Sequence, residues 1–124
     1  MVATKETTSL ISAGRVQGTP VYNHASESLG SIYDVMLDKR SGQVAYAIMS
    51  FGGFLGMGEN YHPLPWSLLR YDTQKAGYVV NLDRTQLEGA PSYPPGVDPG
   101  WGDRDYETRL HDYYGVGPYW GGLY

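Results

Sequence analysis

Short hydrophobic runs separated by turn residues fill the first 90 residues of the chain. The longest run, over 43–51, is apolar at both alternating sets of positions and is bounded by Gly42 and by Gly52 and Gly53. A strand that is apolar on both faces is typical of a protein interior rather than of a one-sided surface sheet. This pattern predicts a central strand in a sheet that curls around a core.

The segment before this strand predicts its hairpin partner. Residues 31–37 alternate between two sets, and we place Tyr33, Val35 and Leu37 on the inward face. In the connecting sequence, Asp38 is suited to accept hydrogen bonds from turn amides, and Gly42 is suited to a left-handed conformation. The two strands are therefore expected to pair as one long hairpin.

A glycine-rich stretch follows the central strand. Four glycines between 52 and 58 leave the backbone free to bend. The residues between them, Phe54, Leu55 and Met57, have large apolar side chains. Glycine-rich loops cradle phosphates when they open a helix, but prolines follow at 63 and 65, and no P-loop Lys-Ser/Thr is present. We expect a tightly bent hinge instead.

Beyond the hinge, the pattern predicts a short strand over 60–64 and then a corner. At the corner Pro65 precedes Trp66, which is placed to plug one end of the core. A last hairpin is expected from 70–72 and 78–82.

Short helical turns flank the predicted strands. One is expected over 9–14, started by Ser9 and stopped by Gly14, and another over 84–88, capped by Asp83 and closed by Gly89. A first strand over 17–22 contains Pro20, which marks it as a sheet edge. Gly30 fits a bulge. Residues 1–8 are polar, and we expect them to be disordered.

Several blocks of this sequence, in this order and spacing, resemble the PRC-barrel family over about residues 9–90. They are Leu10-Ile11, Gly18-Thr19-Pro20-Val21-Tyr22, Leu29-Gly30-Ser31-Ile32, Asp34-Val35-Met36-Leu37-Asp38, Ser41-Gly42, Ser50-Phe51-Gly52-Gly53-Phe54-Leu55-Gly56 and Pro63-Leu64-Pro65-Trp66. The family includes the cytoplasmic domain of the photosynthetic reaction centre H subunit and is similar to the C-terminal domain of a ribosome-maturation factor. The resemblance implies an all-β fold, a small and strongly bent antiparallel barrel of about six strands. It also implies an adaptor surface without common catalytic residues.

Composition narrows the classes of function. The chain of 124 residues carries a net charge of −4 and contains no cysteine, which excludes disulfides and thiolate metal sites. Without a basic patch, binding to nucleic-acid phosphates is disfavoured. No apolar run approaches the length of a membrane span, and residues 1–9 lack an apolar signal region, so we expect a cytoplasmic protein.

From residue 91 the composition shifts, and two interpretations of this tail stay open. Residues 91–124 hold 5 of the 8 prolines and 7 of the 17 glycines, which is typical of a mobile, low-complexity extension. They also hold 6 of the 12 tyrosines, and an aromatic stripe recurs at helical spacing over 103–114, with Asp103 at its start and Gly115 as its stop. Such a stripe needs a surface to cover, on its own domain, a second subunit or another protein.

No arrangement of residues indicates catalysis, a metal or a cofactor. His24, His62 and His111 lack the spacing of metal ligands, and no serine stands in a recognisable nucleophile motif. We therefore expect no catalytic, metal-binding or cofactor-binding residues.

The leading hypothesis is a non-enzymatic adaptor or protein-interaction domain that self-associates as a homodimer and docks on an unidentified protein partner. The alternatives are a small-ligand or cofactor-binding module built on the 52–58 hinge, and a ribosome- or RNA-processing-associated factor by analogy of fold. The predicted interaction residues are Phe54, Leu55, Met57, Trp101, Tyr106, Leu110, Tyr113, Tyr114 and Trp120, and the predicted structural positions are Gly30, Gly42, Gly52, Gly53, Pro65 and Trp66.

Overall fold

The computed structural model describes residues 9–51 and 59–121. In these residues six strands and three α-helices follow one another along the chain. The strands are β1 (Pro20–Tyr22), β2 (Ser28–Leu37), β3 (Val44–Phe51), β4 (Asn60–Pro65), β5 (Arg70–Asp72) and β6 (Gly77–Val79), and the helices are α1 (Ala13–Val16), α2 (Arg84–Glu88) and α3 (Arg104–Tyr114). The predicted hinge residues Gly52, Gly53, Phe54, Leu55 and Met57 lie outside the described residues.

All six strands belong to one sheet, in the order β4-β3-β2-β1-β6-β5. Neighbouring strands are antiparallel except β1 and β6, which are parallel. The predicted strand-rich fold is therefore confirmed, but the described strands form an open, mixed sheet rather than a closed antiparallel barrel. Alternation of apolar residues predicts strands without fixing the direction of pairing between strands far apart in sequence, so the parallel pair could not be foreseen.

The hairpin of β2 and β3 forms as predicted. Asp38 Oδ2 accepts hydrogen bonds from the amide of Ser41 (3.1 Å) and from its hydroxyl (2.7 Å), and Gly42 takes a left-handed φ of 76°. The inward assignment of Tyr33 and Leu37 is wrong, because both side chains are exposed. The β2–β3 register shifts between Ile32 and Asp34 and again before Leu37, and each shift changes which face the following residues occupy.

One expectation about β1 is corrected, and one about β2 is refined. β1 lies inside the sheet, so Pro20 does not mark an edge; it is the first residue of the strand, a position where proline is tolerated. Gly30 pairs with Val21 and Ser28 pairs with Tyr22, so the bulge lies in β2 at Leu29, directly beside Gly30. A Cβ at Gly30 would overlap the carbonyl oxygen of Ser50, so glycine is needed there for the close approach of β2 to β3.

The inner face of the sheet packs into the main core, which α1 and α2 close through Val16 and Leu87. Trp66 is half-buried at the rim of this core and stands edge-on to Tyr78, with ring centroids 5.3 Å apart. It therefore packs against the core, as expected, while staying partly exposed. The buried residues of this cluster are Val16, Val21, Leu29, Ile32, Ala47, Met49, Phe51, Leu64, Tyr78, Val80 and Leu87.

Of the two short helices, α2 lies where it was predicted, and α1 begins later in the chain than predicted. α2 begins at a capping box in which the Asp83 carboxylate accepts from the Gln86 amide (2.8 Å) and the Gln86 side chain accepts from the Asp83 amide (2.9 Å). The turn predicted over 9–14 lies later, at α1, where Ser12 accepts the first amide bonds and Gly14 is inside the helix.

The outer edge of β4 carries no free donor along 60–65. Backbone groups of successive residues in an antiparallel strand face alternately towards and away from the partner strand. Tyr61 donates outward, to the carbonyl of Tyr93 (2.8 Å), so Pro63 and Pro65 face outward too. Since proline has no N–H, this edge cannot template another strand.

Candidate functional site

The outer face of the sheet is partly covered by α3 from the C-terminal segment. The helix begins at Asp103, whose carboxylate accepts from the Asp105 amide (2.9 Å), and ends at Gly115, which has a left-handed φ of 69°. It thus occupies the stretch where the aromatic spacing predicts a helix. Tyr106 and Leu110 are buried with Ala45 and Tyr46 of β3. The surface that this aromatic stripe covers is therefore its own domain.

A buried polar network fixes α3 to β3. The Tyr46 hydroxyl donates to Glu107 Oε1 (2.9 Å) and lies 2.8 Å from His111 Nε2. The Tyr46 hydroxyl and His111 Nε2 share one hydrogen bond, in which the donor is set by the imidazole tautomer. Arg104 Nε lies 3.7 Å from Glu107 Oε2 at the exposed side of the network. Among the described residues His111 Nδ1 has no hydrogen-bond partner.

Burial shifts the pKa values of Tyr46 and His111 in this network. Burial and the neighbouring Glu107 carboxylate raise the pKa of Tyr46 far above its usual value, so its hydroxyl stays protonated. Burial lowers the pKa of His111. Tyr46, Glu107 and His111 are each less than a tenth exposed. We therefore regard the network as an anchor for α3.

The other half of the outer face is left uncovered, and three tyrosines occupy it. The ring of Tyr33 stacks on Tyr61, with centroids 4.2 Å apart and planes inclined by 15°. Tyr61 in turn meets Tyr93 nearly edge-on at 5.7 Å. Tyr33 is 52% exposed, and the other two are half-buried. We call Tyr33, Tyr61 and Tyr93 the tyrosine face.

Local backbone structure places each of the three rings. Tyr33 is displaced to the outer face at the β2 bulge, and Tyr61 shares that face because it pairs with Ser50 on the far side of β3. Tyr93 is held by two backbone bonds with Tyr61, its own amide donating to the Tyr61 carbonyl at 3.1 Å. The rings are therefore positioned by the fold before any partner arrives.

Three carboxylates, those of Asp34, Glu59 and Asp98, lie near the tyrosine face. Partial desolvation is the main reason that the pKa of Tyr61 is raised, with contributions from the Tyr33 hydroxyl and the Glu59 carboxylate. Burial also raises the pKa of Tyr93, and the Asp34 and Asp98 carboxylates add to it. The backbone also places these carboxylates near the rings: Asp34 follows Tyr33 in β2, and Glu59 directly precedes β4, which carries Tyr61. Asp98 lines the same cleft as Tyr93.

A cleft of about 510 Å³ adjoins Tyr93 between the proline-rich segment and α3. Tyr106 forms part of its wall, and the Arg109 guanidinium lies 5.8 Å from the centre of the Tyr106 ring. The tyrosine face thus continues into an apolar depression. The lining residues are Pro91, Ser92, Tyr93, Pro94, Val97, Asp98, Pro99, Tyr106 and Arg109.

The predicted interaction residues are distributed over several surroundings. Tyr106 and Leu110 are buried within the chain, so neither is available to a partner in this arrangement. Trp101 packs against the same outer cluster, and Tyr114 against the main core. Tyr113 is exposed beside α2, where its hydroxyl donates to the Gln86 carbonyl (2.5 Å). The structure does not gather these residues into one surface.

Trp120, near the end of the described chain, lies beside the network of Tyr46, Glu107 and His111. The Arg104 guanidinium lies 3.9 Å from the centre of the Trp120 ring, and His111 meets that ring edge-on at 5.2 Å. The indole is therefore already in contact with side chains of its own chain.

Sequence reasoning did not select the residues of the tyrosine face. Tyr33 was assigned inward, and Tyr61 and Tyr93 were not singled out. The sequence does contain one signal, because Tyr61 lies close to two prolines in the same strand. Prolines are typical of an edge strand, which another segment of the chain can cover. The stacking of Tyr33 on Tyr61 depends on a bulge that the sequence does not reveal.

Within residues 9–51 and 59–121, no group of three or more His, Cys, Asp and Glu side chains is placed to hold a metal ion. No helix in the same residues is long and apolar enough to cross a membrane.

The fold and the uncovered face define a small strand-rich domain with an aromatic surface patch. The sequence profile of the PRC-barrel domain matches residues 9–87, which is more than half of the chain. The chain therefore belongs to the PRC-barrel domain family. Comparison with curated proteins returns no match. The matched region ends within α2, so Tyr93 and α3 lie beyond the part that the profile covers.

Proposed function

We propose that this chain is a non-enzymatic protein-interaction domain that docks a partner through the tyrosine face. The observation that carries the proposal is the stack of an exposed Tyr33 on Tyr61, in the half of the outer face that α3 leaves open. Tyrosine is enriched at interfaces because its ring is rigid and has a polar end. Rings already ordered by stacking lose little conformational entropy when a partner binds.

Membership of the PRC-barrel family supports an interaction role at this coarse level. The cytoplasmic location and the absence of catalysis remain predictions from the sequence. The homodimer also remains a prediction, and its strongest argument is weakened, because Tyr106 and Leu110 of the aromatic stripe pack inside their own chain.

The proposal is tested by photocrosslinking in cells, with a benzophenone amino acid at position 33 and, as a matched control, at position 113. Tyr113 is also an exposed tyrosine but lies beside α2. We expect a discrete crosslinked partner from position 33 that is absent from position 113. The purified partner should bind the wild-type chain and lose affinity for Tyr33→Ala. Equal labelling from both positions would show that the tyrosine face is not the docking surface.

The predicted homodimer is tested separately by light scattering across micromolar concentrations. A dimer that Tyr33→Ala dissociates would identify the second copy as the partner. A monomer mass throughout would refute self-association and leave a different protein as the partner.

A further inference from the structure

The carboxylates beside the tyrosine face are held in place by neutral donors. Asp34 Oδ1 accepts from the Val35 amide (2.8 Å), and Asp98 Oδ1 accepts from the amides of Gly100 (2.8 Å) and Trp101 (3.2 Å). The Ser50 hydroxyl donates to Glu59. Each carboxylate is thus oriented by hydrogen bonds that leave its charge in place.

None of these three charges is neutralised within the described part of the chain. The ion pairs found there join Arg84 to Glu27 and Arg104 to Glu107, so neither involves Asp34, Glu59 or Asp98. Arg109 lines the adjoining cleft, where its guanidinium lies near the Tyr106 ring rather than at salt-bridge distance from Asp98. The tyrosine face therefore presents aromatic rings and unpaired negative charge together.

We infer that the partner segment that binds the tyrosine face is cationic, with arginine or lysine side chains laid over the rings. This inference rests on the proposed function. The face of an aromatic ring carries partial negative charge and attracts guanidinium and ammonium groups. Carboxylates at the rim attract the same groups and add hydrogen-bond acceptors for a guanidinium fork.

The charge pattern argues against two other occupants. A second copy related by a two-fold axis would place the same three carboxylates against each other, and like charges in contact are unfavourable. A nucleic acid would bring phosphates to an acidic surface on a chain of net charge −4. Charge complementarity therefore favours a basic peptide segment of another protein.

The test is fluorescence anisotropy of labelled peptides with the full chain. The probes are peptides of equal length that alternate glycine with arginine, with glutamate or with leucine. We expect the arginine peptide to bind at least about tenfold more tightly than the glutamate peptide, and added salt to weaken it. Tyr33→Ala and Asp34→Asn should each reduce its affinity by about fivefold or more. Asparagine retains the oxygen that accepts from the Val35 amide, so Asp34→Asn preserves the local backbone.

Matched variants separate site binding from general attraction to an acidic protein. Glu88→Gln changes the net charge as Asp34→Asn does, but at the exposed end of α2. Tyr113→Ala removes an exposed tyrosine outside the tyrosine face. Both controls should bind the arginine peptide as the wild type does.

Two outcomes would overturn the inference. One is a glutamate or leucine peptide that binds as well as the arginine peptide. The other is an equal loss of affinity in Asp34→Asn and Glu88→Gln. Either result is compatible with a photocrosslinked partner at position 33, so this inference can fail while the proposed function stands.

Discussion

Tyr61 and Tyr93 exchange two backbone hydrogen bonds, from the Tyr61 amide to the Tyr93 carbonyl at 2.8 Å and from the Tyr93 amide back at 3.1 Å. This single bridge joins the outer edge of the sheet to the segment that carries α3. The C-terminal segment therefore covers both an edge and a face of the domain.

A chain that ends at Ala90 is expected to lose several kcal/mol of unfolding free energy. Burial of Tyr106 and Leu110 contributes about 1.5–3 kcal/mol each before the entropy of ordering the helix is subtracted. Urea denaturation measures the loss. The shortened chain should also associate, since Ala45 and Tyr46, which are buried with α3, become exposed. A control that ends at Gly117 keeps α3 and should lose less. A shortened chain that is monomeric and fully stable would show that α3 does not dock.

Tyr46→Phe removes the hydroxyl that joins Glu107 to His111 and leaves two buried polar groups without that partner. We expect a loss of about 1–3 kcal/mol in unfolding free energy, measured by urea denaturation. Tyr33→Phe also removes one hydroxyl, but from an exposed ring, and should change stability by less than about 0.5 kcal/mol. In a double-mutant cycle, Tyr46→Phe and Glu107→Gln should cost less together than the sum of the two. Additive costs would contradict the network.

Acid should weaken the docking of α3. Burial lowers the pKa of His111, although Glu107 and nearby carbonyls oppose the shift, and burial also lowers the pKa of His62. The unfolded chain, with histidine pKa values near 6.5, then binds protons first as the pH falls. Stability is fully present above that value and decreases below it.

The check is the urea midpoint at about pH 7.5 and about pH 5.5. We expect the midpoint of the wild type to fall at the lower pH, and that of His111→Gln to fall less. His24→Gln, which changes an exposed histidine, should behave as the wild type. A decrease of equal size in His111→Gln and the wild type would remove His111 from the explanation.

Gly30→Ala tests the close approach of β2 and β3. The added methyl group would overlap the Ser50 carbonyl, and a backbone carbonyl cannot swing aside as a flexible side chain does. We expect a loss of about 2 kcal/mol or more, read from thermal or urea unfolding. Gly14→Ala is the matched control, because nothing lies within 4 Å of its added Cβ and alanine favours the helix by up to about 1 kcal/mol. Equal stability of the two variants would refute the steric explanation.

Local sequence signals predicted much of this fold. The β2–β3 hairpin, the capped α2 and the helix between Asp103 and Gly115 each depend on neighbouring residues, so their signals lie within short stretches of the chain. The position of the hairpin loop was likewise predicted from local turn residues, Asp38 and Gly42.

The parts that were not predicted depend on contacts between distant residues. Tyr33 and Leu37 lie on the exposed side next to two register shifts, one at Tyr33 in β2 and one at Ala45 in β3, and a bulge leaves no clear mark in a simple alternation. The tyrosine face needs residues from β2, from β4 and from the segment after α2, so no single stretch encodes it. The position of β1 beside β6 is likewise set by the assembled sheet.

The parallel pairing of β1 with β6 also affects the order in which parts of the sheet form during synthesis. Val21 and Tyr22 pair with Tyr78 and Val79, and nearly half of the chain separates the two segments. Contacts between residues so far apart in sequence form late, because a long loop must close before they are made. The β2–β3 hairpin can assemble while the ribosome is still translating, but β1 must wait for β6 to emerge. The nascent domain therefore spends much of its synthesis with one flank of β1 unpaired.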